Sequence, residues 1–122
     1  MNNVILSLGS NSHDSNEQMR RCIHWLQNTL QVTAKSTVYR TAATNGKDTD
    51  YTNAVVAVCT PMPIDQLNGL MKQYERECGR TPQSKSLGSI PIDIDVVIFN
   101  NQVICPKDFA QPYFTIGYQQ LL

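Results

Sequence analysis

Two aspartates, Asp93 and Asp95, stand one residue apart at the start of an apolar segment that ends at Phe99. In a β-strand successive side chains point to opposite faces, so both carboxylates are expected on one face, followed there by Val97 and Phe99. The other face is predicted to be continuous and apolar, and it comprises Ile90, Ile92, Ile94, Val96 and Ile98.

Neighbouring carboxylates repel each other and weaken a strand unless a cation lies between them. Their oxygens are hard ligands suited to Mg²⁺, which takes one or two carboxylates and completes its coordination with water and substrate phosphates. The alternative is a solvated strand edge, because Asp also discourages edge-to-edge pairing. The pair alone therefore leaves a magnesium site and a solvated edge both open.

The periodicity of the first half of the chain indicates the elements that must position this strand. Val4 to Leu8 is a short apolar strand that ends in the turn Gly9-Ser10-Asn11. Val32 to Arg40 is rich in β-branched residues and is predicted as one second strand. Thr41 to Asp50 is a polar loop long enough to suggest a function. Between the two strands lies a helix whose apolar stripe comprises Met19, Cys22, Ile23, Leu26 and Leu30.

The second half of the chain repeats this alternation. Tyr51 to Cys59 is predicted as the third strand, and a second helix follows Pro63 and stops at Gly79. Arg80 to Ser89 is predicted as a polar loop before the aspartate strand. Asn100-Asn101 is predicted to turn that strand into a short hairpin partner. The stripe of the second helix comprises Ile64, Leu67, Leu70, Met71, Tyr74 and Cys78.

The order of these elements predicts an α+β fold. Strand, helix, strand, strand, helix, strand is the ferredoxin-like βαββαβ pattern, in which an antiparallel sheet carries two helices on one face, here with an added short β-hairpin. The apolar side of the aspartate strand would face the helices. Asp93 and Asp95 would then point to the open face, beneath the two polar loops.

Composition restricts the class of protein. The chain has 122 residues, ten basic and ten acidic, which predicts one domain over 1–122 and offers no net charge to hold nucleic acid or a membrane. No apolar run approaches a membrane span and the N-terminus lacks the features of a signal peptide, so the expected location is cytoplasmic. The four cysteines form no C-x-x-C pair, which predicts reduced thiols.

Six short motifs in sequence order carry a resemblance to a known family. They are Gly9-Ser10-Asn11, Tyr39-Arg40-Thr41, Asp50-Tyr51-Thr52-Asn53-Ala54, Glu75, Gly79-Arg80 and Asp93-Ile94-Asp95. Each motif alone is common, but together they cover essentially the whole chain. The chain resembles the 6-hydroxymethyl-7,8-dihydropterin pyrophosphokinases, folate-pathway enzymes that move pyrophosphate from ATP to a pterin alcohol and release AMP.

The resemblance implies a role for each matching residue. Asp93 and Asp95 would bind two Mg²⁺ ions that bridge the phosphates of ATP, and Arg80 would act with them in catalysis by binding the triphosphate. Asn53 would bind the amide edge of the pterin, in a pocket with Tyr51, Thr41 and Ala42. Glu75 and Lys85 are expected near the nucleotide. Without the resemblance, a turn-proximal Asn53, an edge aromatic Tyr51 and a solvated Arg80 are the simpler interpretations.

The chain departs from the family on the nucleotide side. Leu87 stands where a tryptophan is expected and Ile90 where an arginine is expected, and Lys85 is the only charge in that loop. The family's Pro-His corresponds to Pro112-Tyr113, its downstream arginine to Gln119 and its second pterin-stacking ring to Leu121. Relatives continue for a few dozen residues, so a divergent, C-terminally shortened member is expected.

Three hypotheses of function therefore stand. The first is a working pyrophosphokinase, with binding energy supplied by Lys85, Arg40 or a second subunit. The second is a catalytically impaired relative that binds a pterin or nucleotide as a sensor or partner subunit. The third is a ferredoxin-like interaction domain with a vestigial site. A homo-oligomer, in which a second chain closes the pocket, is an expectation linked to the first.

Overall fold

The computed structural model describes all 122 residues. A six-stranded antiparallel sheet forms its centre, with strand order β2-β4-β1-β5-β6 and β3 added to β4. The elements are β1 (Asn2–Ser10), α1 (Ser15–Thr29), β2 (Gln31–Lys35), β3 (Tyr39–Thr41), β4 (Tyr51–Thr60), α2 (Ile64–Glu77), α3 (Ser84–Leu87), β5 (Asp93–Phe99), β6 (Gln102–Val103), α4 (Pro106–Phe109) and α5 (Pro112–Leu121). The α+β, ferredoxin-like prediction is confirmed. No helix has the length and apolar character needed to cross a membrane.

The main core lies between one face of the sheet and helices α1 and α2. β1 supplies Val4, Leu6 and Leu8 to it, and each of these side chains is at most 1% exposed. The alternating residues of β4 and β5 lie beside them, because residues paired across antiparallel strands share a face. The predicted stripe of α1 is buried here in full, while Leu67 and Met71 are the fully buried part of the stripe of α2.

A β-bulge changes the alternation in β5. The register between β1 and β5 shifts between Ile5 and Leu6, which leaves one extra residue in β5. Val97 and Ile98 therefore both join a second small cluster on the opposite face, and Phe99 packs against the main core. The prediction that Ile98 continues the helix-facing side was wrong, since strict alternation does not allow for an inserted residue.

Three further expectations are corrected by the structure. The segment 32–40 is not one strand: β2 and β3 are separate, and both pair with β4. The loop before β5 contains the short helix α3. The face opposite α1 and α2 is also not open along its whole length, because Phe114 of α5 is fully buried against Val55 of β4 and Val97 of β5.

Tyr39 fixes α5 to this second face. Its hydroxyl donates to the carbonyl oxygen of Tyr113 at 2.6 Å and accepts the backbone N–H of Gly117 at 3.0 Å. The close approach requires a glycine, since a Cβ at position 117 would meet Val55 Cγ2 at 2.6 Å and Tyr39 Oη at 2.7 Å. α5 therefore covers half of this face, and the half bearing the aspartates remains accessible.

A buried carboxylate joins α2 to β5. Glu75 is 3% exposed, and its Oε2 accepts the backbone N–H of Ile94 at 2.7 Å. Lys72 Nζ lies 3.0 Å from the same oxygen, and Arg80 donates to Oε1 at 3.1 Å. Burying a carboxylate is costly unless such partners are present, so the position of Arg80 depends on Glu75.

Gly117→Ala is expected to lower the free energy of unfolding by about 1–3 kcal/mol, because the added methyl group overpacks the contact of α5 with β4. Gly69→Ala is the matched control. A Cβ at Gly69 meets nothing within 4 Å, so this change in a helix interior should raise stability by about 0.5–1 kcal/mol. Urea unfolding followed by circular dichroism measures both, and equal effects would contradict the assigned packing of α5.

Glu75→Gln is expected to cost about 1–3 kcal/mol of stability, because two cations lose their charged acceptor while the Ile94 N–H keeps a neutral one. Glu77→Gln on the same helix changes an exposed carboxylate and should stay within about 0.5 kcal/mol of the parent. Thermal and urea unfolding of the two variants would refute the role of Glu75 if their stabilities matched.

Candidate functional site

A cavity of about 160 Å³ lies on the accessible half of the second sheet face. Ser7 and Gly9 of the central strand β1 form its floor, and their small side chains leave the space above them free. A Cβ at Gly9 would lie 3.4 Å from the ring of Tyr51. The lining residues are Ser7, Leu8, Gly9, Thr41, Ala42, Thr44, Tyr51, Asn53, Asp93, Asp95 and Tyr113.

Strand pairing brings the predicted pterin and metal residues together in this cavity. Gly9 pairs with Asn53 on one side and with Asp93 on the other, while Ser7 pairs with Asp95. Directly paired residues share a face, so Asn53 and both aspartates flank the same small floor. Thr41, Ala42 and Tyr51 complete the wall that adjoins Asn53.

The pKa values of the two aspartates shift in opposite directions. Burial and the negative charge of Asp93 raise the pKa of Asp95 above its ordinary value. Burial acts against ionisation of Asp93 as well, but its hydrogen bond with Asp95 and the guanidinium of Arg80 hold the pKa of Asp93 below its ordinary value. Two half-buried carboxyl groups on one strand face oppose each other's ionisation. A divalent cation between them would remove this opposition.

Cations cover both aspartates from the α2 side. Arg80 donates to Asp93 Oδ1 at 2.7 Å and also to the carbonyl oxygen of Ile92 at 3.3 Å. Lys72 Nζ lies 3.5 Å from Asp95 Oδ1. Burial disfavours the charged forms of both cations, but the surrounding carboxylates outweigh this and raise the pKa of each.

Asn53 presents one half of its amide to the cavity. Its Nδ2 donates to the hydroxyl of Thr41 at 2.9 Å and to the carbonyl oxygens of Tyr51 and Tyr39 at 3.2 and 3.4 Å. Its Oδ1 has no hydrogen-bond partner in the protein, and no buried side-chain polar atom is unsatisfied. This oxygen is therefore reachable from the cavity and can accept a hydrogen bond from a ligand N–H.

Asn11 holds the loop between α2 and β5. Its Oδ1 accepts the backbone N–H of Ile90 at 2.6 Å, and its Nδ2 donates to the carbonyl oxygen of Gly88 at 2.9 Å. Arg80 anchors the other end of this loop on Asp93. The side chain of Ile90 is 6% exposed, whereas that of Leu87 is 76% exposed. Neither position offers a cation to the cavity.

The expected nucleotide residues do not line the cavity. Arg80 lies beside it through Asp93. Glu75 is enclosed behind Arg80 and Lys72, where it orients cations. Lys85 is exposed on α3 and forms no ion pair, while Arg40 donates to the hydroxyl of Thr52 at 3.4 Å. The structure thus brings together the predicted pterin and metal residues, and it leaves Lys85 apart from them.

Sequence reasoning missed four residues at or beside the cavity. Lys72 could have been found by its spacing, since it precedes Glu75 by one helical turn. Ser7 and Gly9 alternate with Leu6 and Leu8, which is the pattern of a strand with a narrow, small-residue face. Nothing in the sequence placed Tyr113 at the cavity as a lining residue, because α5 reaches this face only through tertiary contacts, those of Phe114 and Tyr39.

No group of three or more His, Cys, Asp or Glu side chains able to hold a metal ion is present. A cation at this site would therefore depend on Asp93 and Asp95, with its other ligands taken from water and substrate. That donor set fits Mg²⁺, which is bound by one or two carboxylates together with phosphate oxygens.

Comparison with known proteins places this chain in a family. The family model for 7,8-dihydro-6-hydroxymethylpterin-pyrophosphokinase matches residues 5–117. A 2-amino-4-hydroxy-6-hydroxymethyldihydropteridine pyrophosphokinase from Aquifex aeolicus is 31% identical over 114 residues, which cover 93% of this chain and 71% of the relative. A folate synthesis bifunctional protein from Arabidopsis thaliana is 23% identical over 112 residues, 90% of this chain and 23% of that protein. The chain belongs to the 7,8-dihydro-6-hydroxymethylpterin-pyrophosphokinase family.

Proposed function

We propose that this protein transfers pyrophosphate from ATP to the hydroxymethyl group of 6-hydroxymethyl-7,8-dihydropterin, a step of folate biosynthesis, and releases AMP. Family membership supports the activity. The observation that carries the assignment of the site is the single cavity in which Asn53 and Tyr51 face Asp93 and Asp95 across a floor of small residues. A flat polar ring and a metal-bound phosphate chain would meet there.

The reaction requires an in-line displacement at the β-phosphorus of ATP. The hydroxymethyl oxygen forms a bond to that phosphorus and loses its proton, while the bond from the β-phosphorus to the oxygen of the α-phosphate breaks. Such transfers depend mainly on positioning and on neutralising charge spread over the phosphate oxygens. The chain meets the first need with a preformed pocket for the acceptor, in which Asn53 Oδ1 fixes one edge of the ring.

Asp93 and Asp95 are the residues proposed to hold Mg²⁺. When bound, Mg²⁺ supplies the positive charge that neutralises the phosphates and orients them. The opposed pKa shifts of the aspartate pair support the assignment, because an added positive charge is stabilising where two carboxyl groups oppose each other's ionisation. The binding of two Mg²⁺ ions by this pair is also part of the proposal.

Arg80 is proposed to bind the triphosphate beside Asp93. Its guanidinium can contact two phosphate oxygens at once, which an ammonium cannot do. Glu75 acts through Arg80 by holding its position. Lys85 is proposed to contact the distal phosphates, and its exposed place on α3 leaves it free to turn towards them.

A second candidate function is a pterin-binding or nucleotide-binding relative with impaired turnover. The observation that favours it is the scarcity of cations around the phosphates. Leu87 is exposed and apolar, Ile90 is buried, and Tyr113 donates its hydroxyl to Asp108. The vestigial interaction domain has no comparable support, since the cavity and its polar groups are present.

We further propose that residues 1–122 act as one domain, because β1 and β5, from opposite ends of the chain, are neighbours in one sheet. A cytoplasmic location stays a prediction. The absence of nucleic-acid and membrane partners also stays a prediction. The same holds for a homo-oligomer in which a second chain closes the pocket.

Asn53→Ala is expected to raise KM for the pterin about 10-fold or more, because the ring loses one hydrogen-bond acceptor in a buried site. KM for ATP should change by less than about 2-fold if Asn53 contacts only the acceptor. The exposed Asn28→Ala on α1 serves as the control. Steady-state kinetics with each substrate varied in turn decide the matter, and an equal rise in both KM values would argue against a pterin-specific role.

An Asp93→Asn/Asp95→Asn double variant is expected to lose at least about 100-fold in the rate of AMP release, because no charged ligand for Mg²⁺ remains. Asp65→Asn, at an exposed position in the first turn of α2, should retain parental activity. AMP is followed by chromatography with ATP, Mg²⁺ and the pterin alcohol. AMP release by the parent and not by the double variant supports a working enzyme, and no release by either favours the binding protein.

A further inference from the structure

Lys72 is a cation of the site that the sequence motifs did not single out. Its ammonium lies 3.0 Å from Glu75 Oε2 and 3.5 Å from Asp95 Oδ1, and it donates to the carbonyl oxygen of Ile94 at 3.2 Å. Its side chain is 43% exposed, on the side of α2 that borders the aspartates. Lys72 thus contacts the buried Glu75 and also Asp95, which lies at the edge of the cavity.

Lys72 and Arg80 form a matched pair around Glu75. Each takes one oxygen of that carboxylate, and each covers one aspartate: Arg80 covers Asp93 and Lys72 covers Asp95. The two cations differ in how closely they contact the aspartates. Arg80 donates to Asp93 at 2.7 Å with 28% of its side chain exposed, whereas the contact of Lys72 with Asp95 is 3.5 Å long. Asp95 is therefore the aspartate whose counter-ion is more easily displaced.

The chemistry of the ammonium permits a change of partner. Lysine is a compact charge on a flexible stem with three N–H donors, so it can keep Glu75 and Ile94 while it releases Asp95. A cation entering beside Asp95 would repel the ammonium strongly at this distance. The donor released in this way points towards the same edge of the cavity at which a phosphate chain would lie.

We propose that Lys72 is a built-in counter-ion of Asp95, which gives up this carboxylate when a divalent cation binds and then donates to a phosphate oxygen of the nucleotide. The proposal rests on the proposed function. In this role Lys72 supplies a positive charge from α2, in a site where Leu87 and Ile90 provide none. Lys72 would compete with the metal ion alone and cooperate with the metal and nucleotide together.

This dual role predicts effects of opposite sign in Lys72→Gln. Without nucleotide, the affinity for Mn²⁺, used as a spectroscopic substitute for Mg²⁺, should rise about 3-fold to 10-fold because the competing charge is gone. With Mg²⁺ present, the affinity for α,β-methylene-ATP should fall about 10-fold because a charged phosphate contact is lost. Electron paramagnetic resonance measures free Mn²⁺, and calorimetry measures nucleotide binding.

Two control variants sharpen the test. Lys35→Gln removes an exposed lysine of the edge strand β2 that forms no ion pair, and it should leave both affinities unchanged. Lys72→Arg keeps the charge and should return nucleotide affinity to within about 3-fold of the parent. Because Lys72 is half exposed, circular dichroism is expected to show folded variants, and Lys72→Arg provides the measurement should Lys72→Gln unfold.

A change of both affinities in the same direction, or no change in Lys72→Gln, would overturn the proposal, since a merely structural lysine gives those results. Undetectable Mn²⁺ binding by both the parent and Lys72→Gln would overturn it as well. AMP release by the parent is a separate readout of the proposed function. An active parent with unchanged affinities in Lys72→Gln would thus remove the counter-ion role alone.

Discussion

The buried carboxylate of Glu75 is the interaction on which the site depends. It fixes α2 to β5 through the backbone N–H of Ile94, and it offers one oxygen each to Arg80 and Lys72. A carboxylate that is 3% exposed is stable only with such partners. The same requirement that stabilises the packing of the helix therefore delivers two cations to the two aspartates.

The second face of the sheet has two parts, one that packs against α5 and one that forms the cavity. α5 covers the part of the face at Val55, Val97 and Ile98, and the β-bulge in β5 turns two apolar residues towards it. The other part is left with Ser7 and Gly9, which are too small to fill the space between neighbouring strands. A cavity forms there because side-chain volume is missing from the central strand.

The charge balance of the cavity suits the two substrates proposed to bind there. Three carboxylates, Glu75, Asp93 and Asp95, face two cations, so the free site lacks positive charge. The proposed metal ion would correct this deficit and bring phosphate with it. The proposed pterin side needs no such correction, since Asn53 and Tyr51 offer the ring a hydrogen-bond acceptor and an aromatic contact.

The sequence by itself determined the order of the main strands and of α1 and α2, the apolar stripe of α1 and the shared face of Asp93 and Asp95, because these follow from local periodicity. Strand pairing, which needs only the fold pattern, then brings Asn53 to the same face. Tertiary structure alone decided the bulge that moves Ile98, the place of Tyr113 and the contact of Lys72 with Asp95. Each of these depends on the register or docking of segments that are distant in the chain. The local sequence does not determine how such segments meet.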